Sequence, residues 1–188
     1  PVGCQNLPDG FGIQRANRVD RVGAAYDADS RYGNVLEVGH LGEPTLRFGQ
    51  LVSSGKMHIS FDFRVSDITA RRALIAFYDG RADDDPAYEQ SNPDSWATTK
   101  YSNTVFLNPS YDGKVAYYYG NLGNWLRETN EEMILENDSW YRIDLLIDID
   151  ANTAYYYLDG VCINPNNPGL PKGSMGLGFK ALLFRVES

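Results

Sequence analysis

An all-β chain folded as a two-sheet antiparallel sandwich is predicted by three observations. Apolar and polar residues alternate with period two in several separate stretches, turn-forming residues stand between those stretches, and no stretch has the period of an amphipathic helix. In 188 residues one such sandwich over 1–188 is of ordinary size for a single domain, with room for a sizeable core.

The first two strands are expected at Asn34 to Val38 and Thr45 to Phe48. From Lys56 to Val65, Met57, Ile59, Phe61, Phe63 and Val65 alternate with His58, Ser60, Asp62 and Arg64, so one face enters the core and the other meets water. Arg72 to Tyr78 differs: Ala73, Ile75 and Phe77 fall on one face and Leu74, Ala76 and Tyr78 on the other, which predicts burial on both sides until Tyr78. The stretch from Asp79 to Ser102 is rich in Asp, Pro, Ser and Asn and is expected to be a long loop of the kind that carries function. Strands follow at Asn103 to Leu107 and at Lys114 to Tyr119, the second placing Tyr118 opposite Val115, Tyr117 and Tyr119. In Trp140 to Asp150, Tyr141, Ile143, Leu145, Ile147 and Ile149 share one face, while Arg142, Asp144, Asp148 and Asp150 share the other. The polar run Asp150-Ala-Asn-Thr reverses the chain into Ala154 to Leu158, and Asp159-Gly160 offers a tight turn. Lys180 to Val186 closes the series. The echo of "AYYYG" in "AYYYLDG" has no matching flanks, so it is no repeat.

Charge and composition narrow the partners. With 25 acidic against 17 basic residues the net charge is −8, which repels phosphate backbones and anionic membrane surfaces. Nucleic acid is not expected as a partner. There is no apolar run long enough to insert into a membrane and no N-terminal charged-then-apolar signal segment. A start at Pro1 rather than Met suggests a processed protein or a module of a longer one, with covalently linked neighbours. Cys4 and Cys162 are far apart and lack metal-ligand spacing. In an exported module a bridge between them would add about 4 kcal/mol by loop closure, and two separate buried thiols fit the sequence equally.

"NDSWYRIDLLIDIDANTAYYYLDG", "SGKMHISFDFRVSD" and "GLGFKALLFRVES" together resemble the paired strands, early strand and closing strand of concanavalin A-like and laminin-G-like jelly rolls. The resemblance spans most of the chain and implies the fold; that superfamily includes lectins, carbohydrate-binding modules, polysaccharide lyases, glucanases and adhesion domains, so it does not settle function. Retaining glucanases of this fold carry Glu, any, Asp, any, any, Glu, with the two Glu about 5 Å apart across a cleft. Glu136-Asn-Asp138 begins that order but reaches Tyr141 where the second Glu should stand. The strand signatures of alginate-lyase-like relatives are missing as well. His58 is expected to be a satisfied surface histidine rather than a base, and His40 a turn residue. No cofactor is implied. The one metal that suits the composition is structural calcium, on Asp83, Asp84, Asp85 and Glu89, for which a solvated loop is the plainer reading.

The aromatics carry the remaining signal. Thirteen Tyr, eight Phe and three Trp exceed what a core of this size requires, and several stand in polar surroundings. Sugar rings stack their C–H faces on aromatic planes while their hydroxyls need polar partners. The expected site is a groove lined by Tyr78, Trp96, Tyr118 and Trp125, with Asp79, Arg81 and Arg127 supplying hydrogen bonds, and with Trp125 and Arg127 in the glycine-flanked loop "GNLGNWLRE". The sequence thus reads as a secreted or cell-surface bacterial carbohydrate-binding module that binds a polysaccharide or oligosaccharide without catalysis. A glycoside hydrolase or polysaccharide lyase of the same fold, and a protein-binding adhesion domain, are the alternatives.

Overall fold

A computed structural model of the chain describes residues 11–13, 22–27, 33–39, 44–70, 72–79, 101–107, 111–121, 124–168 and 178–187. Among them there are thirteen strands and no helix. In chain order the strands are β1 (Phe11–Ile13), β2 (Val22–Asp27), β3 (Gly33–Val38), β4 (Pro44–Val52), β5 (Lys56–Arg64), β6 (Arg72–Asp79), β7 (Tyr101–Leu107), β8 (Lys114–Asn121), β9 (Asn124–Ile134), β10 (Trp140–Asp148), β11 (Thr153–Leu158), β12 (Val161–Cys162) and β13 (Phe179–Glu187). They form a seven-stranded sheet in the order β1-β4-β13-β6-β7-β8-β9, a four-stranded sheet β12-β11-β10-β5 and a β2-β3 hairpin. Every described pair is antiparallel.

Period-two patterning decides which side of each strand is buried. From the seven-stranded sheet Ile75, Phe77, Val105, Leu107, Val115, Tyr117, Phe179 and Leu182 enter the core, and from the four-stranded sheet Ile143, Leu145, Ile147, Ala154, Tyr156 and Leu158 meet them. Phe61 of β5 and Phe184 of β13 pack edge to face at 4.9 Å, one ring from each sheet. Burying each large apolar side chain contributes about 1.5–3 kcal/mol, so this double layer is the main source of cohesion. The expected burial of β6 on both faces is observed, since Leu74, Ile75, Ala76 and Phe77 are each 2 % exposed or less.

Turn chemistry sets the register of the β10–β11–β12 ribbon. Asp148 Oδ1 accepts from the Ala151 amide at 2.9 Å and Asn152 adopts φ 54°. Asp159 (φ 47°) and Gly160 (φ 81°) both take the left-handed region, as a two-residue type I′ hairpin turn demands. Gly113 is required for another reason: at φ +80° a Cβ would lie 2.6 Å from the Leu135 carbonyl oxygen.

β12 pairs only two residues with β11, and a side chain takes over the edge beyond it. Asn164 is fully buried; its Oδ1 accepts from the Tyr156 amide at 2.8 Å and its Nδ2 donates to the Ala154 carbonyl at 2.8 Å. The amide group thereby imitates the next strand, which satisfies two backbone groups that burial would otherwise strand. Cys162 beside it carries a free thiol with Sγ 3.7 Å from Asn164 Oδ1; Cys4 lies outside the described residues.

The 11-residue strand β9 is a correction to the sequence reading, which held Trp125 and Arg127 to be in a loop. Its sequence NWLRETNEEMI has few β-branched residues and therefore little local strand signal. Pairing with β8 along Lys114–Asn121 makes it a strand despite that, and its position at the sheet edge explains the charges, which discourage further pairing.

Candidate functional site

The outward face of the seven-stranded sheet is defined by what the inward face uses. Because Ile75 and Phe77 point into the core, alternation puts Arg72, Leu74 and Ala76 of β6 on the outer face. Register sets a row across the sheet: Ala181 of β13 pairs with Tyr78, Arg47 of β4 pairs with Ala181, and Tyr101 of β7 pairs with Tyr78. Arg47, Ala181, Tyr78 and Tyr101 thus form one row across four strands. On β8, Val115 and Tyr117 belong to the core, so Ala116 falls outward, with Tyr118 and Gly120 two and four positions further along the strand. Their partners on β9 are Thr129, Arg127 and Trp125 respectively.

Tyr78, Tyr118, Trp125 and Arg127 thus stand at register positions of β6, β8 and β9. They share one end of the sheet, the end marked by Val52, Phe179, Asp79, Tyr101, Asn121 and Asn124, where the six strands β4, β13, β6, β7, β8 and β9 finish or begin. From β6 to β9 is three strand spacings of about 4.8 Å, roughly 14 Å. Two register shifts lie close by, at Lys180 between Phe179 and Ala181 and at Thr104 between Val105 and Asn103. Bulges bend and twist a strand, and so re-aim the backbone at this end. Asp79, the last residue of β6, pairs with Phe179. The middle of the outer face is closed to solvent, with Leu74, Ala76, Ala116 and Leu183 buried and Arg185 7 % exposed.

Arg81, Trp96, Asp83, Asp84, Asp85 and Glu89 lie outside the described residues, as does His40. Arg47 and Tyr101 were not anticipated as members of this row. Arg47 lies in the strand signal Thr45-Leu-Arg-Phe48, between Leu46 and Phe48, which pack on the core. Among the described residues no group of three or more His, Cys, Asp or Glu is arranged to hold a metal ion.

On the opposite sheet the outer face carries a polar cluster. His58 Nε2 and Asp144 Oδ1 are 2.7 Å apart, with the ring on the exposed face of β5. The hydrogen bond to His58, then the Ser60 hydroxyl, and more weakly the Arg142 charge, hold the Asp144 carboxyl below its ordinary range against a small opposing cost of burial. His58 is thus the satisfied surface histidine that its position in a half-buried strand suggested. Glu136, Asn137 and Asp138 occupy an exposed turn before β10, Asp138 at φ 58°. The Tyr141 hydroxyl accepts from the Glu136 amide at 2.7 Å, and Asn137 Oδ1 accepts from the Ile68 amide at 2.8 Å. That segment is committed to holding the turn.

No family model and no curated protein matches the sequence. Solved structures do resemble it. A Bacillus licheniformis β-glucanase superposes with TM-score 0.54 at 13 % identity, over 100 % of this chain and 83 % of its own. The globular domain of a T. cruzi calreticulin gives 0.56 at 11 % identity, over 96 % and 79 %. A family 7 alginate lyase, A1-II′, in complex with product gives 0.50 at 12 % identity, over 96 % and 74 %. The chain has the concanavalin A-like jelly-roll fold of these proteins, and at such identities the likeness speaks for fold alone.

Proposed function

We propose that the chain is a non-catalytic carbohydrate-binding module, secreted or displayed at a cell surface and linked to neighbouring modules, that holds a polysaccharide against the outer face of its seven-stranded sheet. The observation that supports this is that Tyr78, Tyr101, Tyr118 and Trp125 stand at register positions toward one end of the seven-stranded sheet, with Arg47 and Arg127 in their rows. Aromatic rings suit the C–H faces of sugars and guanidinium groups suit their hydroxyls. Because the middle of the face is buried, the ligand is expected at the β6–β9 end. An extended chain fits the roughly 14 Å from β6 to β9 better than a compact ligand does.

An enzyme is the second reading, supported by the jelly-roll likeness to a β-glucanase and an alginate lyase. Against it, the one stretch that begins a glucanase order, Glu136 to Asp138, is spent on a turn.

Binding of a polysaccharide panel tests the proposal, with reducing ends and unsaturated products measured in the same incubations. Retention of a glycan with no new ends is expected. Trp125→Ala and Tyr118→Ala should each weaken that binding about tenfold, near 1.4 kcal/mol, while the unfolding midpoint stays within the range of surface substitutions. Parental affinity in both variants, or product formation by the wild-type chain, would overturn it.

A further inference from the structure

The two edges of the four-stranded sheet are treated differently. At the β11 side, β12 and the Asn164 side chain close the edge. At the other side, β5 is the last strand among the described residues, nine residues in unbroken register with β10. Arg142 of β10 exchanges bonds with Asp159, through Asp159 N to Arg142 O at 2.8 Å and Arg142 N to Asp159 Oδ1 at 2.7 Å. The even residues of β10 therefore face β11, and the odd ones face β5. Ile149 N donating to Gly55 O at 2.9 Å shows the same phase. On β5, then, Met57, Ile59, Phe61 and Phe63 direct their N–H and C=O groups to β10, whereas Lys56, His58, Ser60 and Asp62 direct theirs to the open edge. The core-side residues of β5 are only half-buried, although their partners Ile147, Leu145 and Ile143 are 2 % exposed or less.

A long, regular edge with no further strand among the described residues is a template for another strand. β5 has no proline and no bulge to blunt it, in contrast to the charged, register-shifted edge strand β9. We propose that β5 pairs antiparallel with β5 of a second copy of this chain, joining two four-stranded sheets into one continuous sheet. Charge selects the alignment. With Ile59 on the two-fold axis, Lys56 stands opposite Asp62 of the partner subunit at both ends and His58 opposite Ser60 of the partner subunit. All four are edge-directed residues able to exchange about eight backbone bonds. The alignment one step along, with Ser60 on the axis, sets Lys56 against the partner's Arg64 twice, and like charges directly opposite are destabilising. In the first alignment the half-buried Ile59 meets its own copy, and Met57 meets Phe61 of the partner subunit. Lys56 is well placed for the exchange, with its side chain 84 % exposed and only a 3.5 Å contact to Asp148.

Sedimentation of the full chain over a concentration series is the test. A reversible dimer is expected for the wild type. Ser60→Pro removes an edge-directed N–H and a hydroxyl that donates to the Ile143 carbonyl at 3.4 Å, but no backbone bond to β10, so it should leave the monomer folded by circular dichroism and abolish the dimer. Lys56→Asp should raise the dimer dissociation constant at least about tenfold, and Lys56→Asp combined with Asp62→Lys should restore it to near the wild-type value. A wild-type chain that is monomeric at every soluble concentration overturns the proposal, as does a dimer indifferent to Ser60→Pro. A dimer that Lys56→Asp strengthens overturns the alignment, because the rival pairing with Arg64 would gain from that change.

Discussion

Asn164→Ala removes the side chain that completes the β11 edge. Its loss leaves the Tyr156 amide and the Ala154 carbonyl, both in residues with no exposure, without their 2.8 Å partners. Each stranded buried backbone group costs about 1–3 kcal/mol. The third bond, Nδ2 to the Asn167 carbonyl at 3.3 Å, ends at a half-exposed residue that water can serve, and adds little. A loss of about 3 kcal/mol is expected, after allowing for a water that enters the vacated space. Urea unfolding followed by tryptophan fluorescence reads it directly: with a slope of about 2 kcal/mol per molar, the midpoint should fall by roughly 1.5 M at unchanged slope. Asn164→Asp provides the control, since a carboxylate keeps the acceptor for Tyr156 but cannot donate to Ala154 and buries a charge, so it should cost at least as much. A fall of less than about 1 kcal/mol in the alanine variant, or native stability in the aspartate variant, would refute the reasoning.

Tyr156 supplies the opposite case, a completely buried hydroxyl without a hydrogen-bond partner among the described residues, whose ionisation burial pushes far above the ordinary tyrosine range. Tyr156→Phe should therefore raise stability by about 1 kcal/mol in the same urea assay, and a clear loss would reveal a partner for the hydroxyl. Asp144 predicts a pH effect. Its carboxyl is depressed in the fold, so its contribution is present above the unfolded value near 3.9 and is lost as pH falls through the lower folded value. Stability of the wild-type chain should thus fall more steeply below about pH 4 than that of Asp144→Asn, and His58→Ala should move the Asp144 titration, followed by NMR, back toward the ordinary range. Identical acid profiles for wild type and Asp144→Asn would remove the claim.

Much of this architecture was legible one strand at a time. Alternation in Lys56–Arg64 and Trp140–Asp148 named the core side of β5 and β10, Asp159-Gly160 named the turn, and the two-faced apolar run Leu74 to Phe77 announced a strand buried on both sides. Those are local properties, because side-chain direction repeats every two residues and a type I′ turn needs particular φ angles. The same locality explains what was missed. β9 has a weak strand signal of its own and exists through its pairing with β8, and Asn164 reads as one more polar turn residue until its amide is found bonded to the β11 backbone just past the two residues that β12 pairs. Arg47 belongs to the strand signal of Thr45 to Phe48, but nothing local sets that strand in one sheet with Tyr78, 31 residues away in sequence by their numbers. Only the order β4-β13-β6-β7-β8-β9 brings Arg47, Tyr78, Tyr101, Tyr118 and Trp125 into paired rows of one sheet. Sequence determined the strand faces and turns because these repeat within a few residues. Tertiary structure alone decided which faces adjoin and which sheet edge stays open, because strand order is a choice among non-local pairings that short-range patterning does not encode.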